Sequence, residues 1–190
     1  MTEVERILRE SAAVKEKLCG QRSELEKIEK VSRQITDALR KGNKVILFGN
    51  GGSAADAQHA AAELAGRFKL ERRGLPAIAL TTNTSVLTAI ANDYGYDKVF
   101  SRQIEGIAEP GDVVIGISTS GRSPNIIEGI KAAKSREAFT VGLAGAQGGE
   151  LERAADICIK VPSEDTARIQ EAQITICHII CQLVEQAVTS

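Results

Sequence analysis

The stretch Val113-Val114-Ile115-Gly116-Ile117-Ser118-Thr119-Ser120-Gly121-Arg122-Ser123-Pro124 decides how this chain folds. Its first five residues form an apolar run without alternation, closed by turn residues, and read as a short buried strand. Behind Pro124, the pattern Ile126-Ile127-Glu128-Gly129-Ile130 is helical. The unit is strand, turn, helix, and its turn carries four hydroxyl side chains: Ser118, Thr119, Ser120 and Ser123. The first turn of a helix offers unpaired backbone N–H groups and the positive end of the helix dipole. Hydroxyls added to that geometry make a cradle for a dianion, above all a phosphate ester. The lysine of a nucleotide P-loop is missing, which points to a small phosphorylated molecule rather than a nucleoside triphosphate.

Outward from this unit the alternation continues. Strands are expected at 45–48, 77–80, 139–143 and 157–161, the last of them edge-like. Helices are expected over 54–69, 85–92, 125–135 and 166–188. Ahead of them, residues 3–41 read as helical, broken in two by Gly20 and stopped by Gly42-Asn43. The predicted fold class is α/β: one domain over 1–190, with an N-terminal helical segment (1–41) and an αβα core (42–190). A parallel sheet of about five strands lies between helical layers, and a long C-terminal helix ends the chain. Ligands of such sheets sit beyond the carboxyl ends of the strands, where both the serine-rich turn and Gly49-Asn50-Gly51-Gly52-Ser53 fall.

Composition narrows the function classes. The 190 residues carry a formal net charge of −1, so no broad attraction to DNA or to an anionic membrane is expected. Aromatic residues make up 3%, too few for the stacking platforms that single-stranded nucleic acid needs. No apolar run approaches a membrane span, and the N-terminus lacks a signal pattern. Cys19, Cys158, Cys177 and Cys181 form no CxxC, which argues against a redox pair or zinc ribbon; Cys177 and Cys181 read as small core residues. A cytoplasmic location is expected.

Five further groups could carry chemistry. In the glycine turn, Gly51 and Gly52 let backbone approach a ligand and Ser53 can cap the helix; a tight turn with an N-cap reads equally well. His59 and Glu63, four residues apart, share a helix face and suit metal binding or proton transfer, or make a plain surface pair. Gln170 and His178 lie broadly on one side of the last helix; His178 sits among isoleucines, as a core histidine would. Glu171, Gln173 and Glu185 are further polar candidates there. Asp93, just past a helix end, could orient a sugar hydroxyl or be a turn residue. Arg67 could contact a phosphate or solvate a helix end, and the solvated role is expected of Arg72 and Arg73.

Taken together, Gly49-Asn50-Gly51-Gly52-Ser53-Ala54-Ala55-Asp56-Ala57-Gln58-His59, Ala91-Asn92-Asp93-Tyr94-Gly95, Gly116-Ile117-Ser118-Thr119-Ser120-Gly121 and Ala167-Arg168-Ile169-Gln170-Glu171 resemble the phosphoheptose isomerase family of the sugar isomerase (SIS) domain superfamily. The resemblance covers nearly the whole chain. It implies a single SIS domain converting sedoheptulose 7-phosphate to D-glycero-D-manno-heptose 7-phosphate, the first step of nucleotide-activated heptose synthesis for lipopolysaccharide core or surface glycans. It also implies a cytoplasmic homotetramer with active sites at subunit interfaces, its N-terminal helices packing in the oligomer. Zinc-binding members match His59, Glu63, Gln170 and His178; for an isomerisation through an enediol, Glu63 is the expected base and His178 the expected acid. The family's phosphate site matches Ser118, Thr119, Ser120 and Ser123, with Ser53 near the same ligand. Asn50, Gly51, Gly52, Arg67, Asn92 and Asp93 match further substrate-contacting positions. Arg122 stands where many members carry Asn, and Gln173 where many carry His. One relative of the family binds a replication initiator without catalysis, so a binding-only protein of the same fold is the alternative.

Overall fold

A computed structural model describes residues 1–189. Five parallel strands form one sheet in the order β2-β1-β3-β4-β5. These are β1 (Val45–Gly49), β2 (Ala77–Ala79), β3 (Val113–Ile117), β4 (Phe139–Ala144) and β5 (Ile157–Lys160). Every residue of β1 and β3 is buried, as continuous apolar strands in a doubly covered sheet must be. Side chains alternate between two cores. Val45, Leu47, Val113, Ile115 and Ile117 face α2 (Arg22–Arg40), α3 (Gly52–Ala65) and α8 (Thr166–Thr189). Ile46, Phe48 and Val114 face α5 (Ser101–Ile107), α6 (Pro124–Ser135) and α7 (Gly149–Ala154).

Strand order fixes where a ligand can enter. After β1 the chain passes through α3 to β2 on one side of β1; after β3 it passes through α6 to β4 on the other. β1 and β3 are neighbours, paired from Val45↔Val113 to Gly49↔Ile117, so their following loops part and leave a crevice at the carboxyl ends. The glycine turn and the serine-rich turn form its two lips.

Several boundaries differ from the sequence reading. α3 stops at Ala65 rather than near Lys69, because Glu185 of α8 captures the N–H groups of Phe68, Lys69 and Leu70 and pulls that segment out of the helix. α4 (Thr84–Tyr94) runs two residues further than expected, so Asp93 belongs to its last turn. Gly51, not Ser53, is the N-cap of α3; Ser53 is buried inside the first turn. The short helices α5 and α7 were not anticipated, being only 7 and 6 residues long, too short to display a period. Arg72 is also misread as a solvated cation: its side chain is 4% exposed. It donates to the carbonyls of Glu63, Leu64, Gly66 and Arg73 and pairs with Glu185. α1 (Glu3–Cys19) packs on α2 and α8 yet buries only Leu18, leaving Val4 and Leu8 exposed.

Candidate active site

The serine-rich turn is a compact loop between β3 and α6. Ser118 is buried, and its Oγ lies 3.1 Å from Ser123 Oγ, so the two hydroxyls close the loop across its base. The Ser120 hydroxyl is exposed and accepts from the Arg122 N–H at 3.2 Å. Gly121 has φ +63, and a Cβ there would meet the Gly148 carbonyl. The turn therefore requires glycine both for its left-handed backbone and for close passage of the loop before α7. Ser123 caps α6 without a side-chain bond to the helix, which leaves its hydroxyl for Ser118 or a ligand.

On the opposite lip, Asn50 and Asn125 exchange two hydrogen bonds, Nδ2 to Oδ1 at 2.9 and 2.8 Å. This reciprocal amide pair ties the turn after β1 to the first turn of α6 across the crevice. Gly52 has no room for a side chain, because a Cβ would lie 2.6 Å from Gln170 Nε2. Gln170 thus packs directly on the start of α3.

Two turns further along α3 lies the third group. His59 Nε2 is 3.0 Å from Glu63 Oε1 and 3.0 Å from His178 Nε2, and one ligand atom from each of the three residues falls within 4.8 Å of the others. The ring of Phe68 backs His178 at 5.7 Å between centroids. An imidazole nitrogen carries either one proton or one lone pair. His59 Nε2 cannot serve Glu63 and His178 fully at once, whereas a cation among the three would meet every lone pair. Zinc binds such N and O donors at about 2.0–2.2 Å, which sets tetrahedral ligand atoms about 3.3–3.5 Å apart. The observed spacings are close to that, and the donor set fits such an ion.

Not every expected residue joins these groups. Gln170 lies eight residues before His178, about 12 Å of helix rise, and its side chain packs beside Gly52 at the start of α3. Arg67 is exposed and pairs with Glu71 at 3.5 Å. Asn92 Nδ2 donates to Asp93 Oδ1 at 2.8 Å, both side chains facing water. Glu171 is held by Arg168 at 2.6 Å, Gln173 is fully buried, and Glu185 is a structural anchor. Cys177 and Cys181 are core residues whose thiols burial pushes up, Cys181 to about 12. Sequence reasoning missed Asn125, Tyr96 and Asp56. Asn125 hides in a helix whose apolar pattern drew attention elsewhere. Tyr96 reaches Asn50 from the short helical turn Tyr96–Lys98. Asp56 precedes His59 by one helical turn, and burial raises its carboxyl to about 6 against the opposing pull of His59.

The profile of the SIS domain family matches residues 8–145. A phosphoheptose isomerase from Aquifex aeolicus is 54% identical over 188 residues, covering 99% of this chain and 97% of its own. One from Pelobacter propionicus is 57% identical over 157 residues, 83% of each chain. Among solved structures, the phosphoheptose isomerase from Neisseria gonorrhoeae superposes with a TM-score of 0.90 at 41% identity, over 97% of this chain and 100% of that one. The enzyme from Francisella tularensis superposes at 0.91 with 33% identity, over 98% and 100%.

Proposed function

Since the chain belongs to the phosphoheptose isomerases of the SIS domain family, we propose that it interconverts sedoheptulose 7-phosphate and D-glycero-D-manno-heptose 7-phosphate through an enediol. It is an isomerase, and the 54% and 57% identities to named isomerases favour turnover over the binding-only alternative. The observation that carries the mechanism is the convergence within 4.8 Å of His59 and Glu63, on the helix that starts at the lip of the crevice, with His178 of α8.

The phosphoryl group sits against Ser118, Thr119, Ser120 and Ser123, where hydroxyls and the N-terminus of α6 receive it. Ser53 and the exposed backbone of Gly51 and Gly52 line the other lip. From Gly52 to His59 is about 10 Å of helix, a span suited to a long sugar chain anchored by its phosphate. Glu63 takes the proton from the hydroxymethyl carbon beside the ketone, and that bonding pair becomes the carbon–carbon double bond as His178 gives a proton to the carbonyl oxygen. The enediol then loses its terminal hydroxyl proton, forms a carbonyl at the chain end, and regains a proton on the neighbouring carbon. Binding energy from the remote phosphate holds the reacting carbons against the two side chains. Asn50, Arg67, Asn92 and Asp93 serve as further sugar contacts.

His59, Glu63, Gln170 and His178 are the residues that would hold zinc, which supplies polarisation of a carbonyl and stabilisation of developing negative charge. Because Gln170 is two turns from the cluster in its own chain, it would join that set only across a subunit boundary. The exposed Val4 and Leu8 on α1 support a role for residues 1–41 in such an assembly, a homotetramer with interfacial active sites. No helix among the described residues is long and apolar enough to cross a membrane. A cytoplasmic enzyme at the first step of nucleotide-activated heptose synthesis, toward lipopolysaccharide core, is the corresponding cellular setting.

Incubation with sedoheptulose 7-phosphate should yield an aldose 7-phosphate, with the rate falling under chelation and returning with added zinc. A zinc-replete protein that forms no aldose phosphate rejects the substrate. Ser120→Ala should raise KM roughly tenfold or more, since bonds to a charged group are worth about 1.5–3 kcal/mol, and should lower kcat by less. An unaltered KM would remove Ser120 from the phosphate site.

A further inference from the structure

The chain has two tyrosines, and both lie on the segment that closes α4 beside the glycine turn. Tyr94 and Tyr96 are each 58% exposed, while the four phenylalanines are buried or half-buried. Tyr94 is engaged, with the Arg102 guanidinium stacked over its ring at 4.8 Å. Tyr96 instead turns its hydroxyl toward Asn50 Oδ1, at 3.4 Å. That is long for an O–H···O bond and leaves the phenol loosely held.

Donor and acceptor bookkeeping then says what this corner presents. Asn50 Oδ1 has two lone pairs; Asn125 Nδ2 takes one at 2.8 Å and the Tyr96 hydroxyl faces the other. One Asn50 N–H is spent on Asn125 Oδ1 at 2.9 Å, so the amide keeps a second N–H. The Tyr96 oxygen, donating to Asn50, keeps its lone pairs on a side chain that is open to solvent. An N–H donor beside a phenolic acceptor complements a hydroxyl group, which needs one of each.

We propose that Tyr96 is a specificity-determining residue: its phenol oxygen, next to the spare Asn50 N–H, binds a hydroxyl of the sugar chain between the phosphate and the carbonyl. The inference rests on the isomerase reading above and extends it to a residue outside the serine-rich turn and the histidine cluster. The hydroxyl count of the bound chain, rather than the phosphate, is what Tyr96 reads.

Tyr96→Phe keeps the exposed ring and removes only the oxygen. Its KM for sedoheptulose 7-phosphate should rise about threefold to tenfold, the worth of one hydrogen bond, with a smaller fall in kcat. The inhibition constant of inorganic phosphate, which lacks the sugar, should match that of the wild type. A KM equal to wild type overturns the assignment. So does a phosphate inhibition constant that rises in step with KM, because the phenol would then act on the anion turn. The wild-type control separates the two levels: a wild type inactive on this ketose rejects the isomerase reading and this inference with it, whereas an active wild type with an unaltered variant rejects the role of Tyr96 alone.

Discussion

Glu63→Gln should yield a folded protein with turnover reduced by about 10²–10⁴-fold, the usual worth of a positioned general base. The amide keeps the volume of the carboxylate and can still accept a hydrogen bond from His59, whose Nε2 stands 3.0 Å away. What it cannot do is hold a proton taken from carbon. Melting temperature and sugar-phosphate affinity should stay near wild type, since the side chain is 24% exposed and sits about three turns along α3 from Gly52, on a different element from the serine-rich turn. Loss of zinc affinity is a competing explanation for lost activity, and two readouts separate it. Excess zinc should not restore the variant. In deuterated water, the wild type should wash solvent deuterium into the carbon-bound position of the ketose, and the variant should not. Activity that returns on zinc addition would leave Glu63 as a ligand only and remove it as the base.

The distribution of what could be read in advance has a physical basis. Parallel strands buried on both faces are apolar throughout, so 45–48 and 113–117 announced themselves, and with them the switch point between β1 and β3. The serine-rich turn was equally legible, because four hydroxyls at a strand-to-helix junction have few structural uses. His59 and Glu63 were placed on one face by local helical spacing, but local spacing cannot bring His178 across from a helix 119 residues away. That required the packing of α3 on α8, fixed by Gly52 against Gln170. Contacts between loops were hidden for the same reason. Asn125 and Tyr96 acquire meaning only when three separate connections meet above the sheet. The misreading of Arg72 is the plainest case. Its neighbours Arg73 and Glu71 are charged and exposed, and nothing in that run signals a carboxylate waiting on α8.

That carboxylate carries the largest expected stability effect. Glu185 is 1% exposed and accepts from the backbone N–H groups of Phe68, Lys69 and Leu70 at 3.1, 2.8 and 2.9 Å, with Arg72 Nε at 3.2 Å. Burial by itself would raise its carboxyl, but the three N–H donors and then Arg72 outweigh burial and hold it below the ordinary value of 4.5. Glu185→Ala would strand a buried guanidinium and three N–H groups together. Breaking one partner of a buried pair costs about 3–5 kcal/mol, so the melting temperature should fall by about 6–20 °C. Glu185→Gln, which keeps an acceptor but not the charge, should fall between the two. The pH dependence has a definite sign. A carboxyl depressed in the folded state contributes fully above its unfolded value and loses that contribution as the pH drops through the folded one. Wild type should therefore lose stability on acidification below about pH 4.5, and the alanine variant should lose less over the same interval. Because the anchored segment carries Phe68, which backs His178, the variant should also lose activity at temperatures where it is still folded. A Glu185→Ala protein that melts within 2–3 °C of wild type, about 1 kcal/mol for a chain of this size, would show that the carboxylate does not bind α8 to the end of α3.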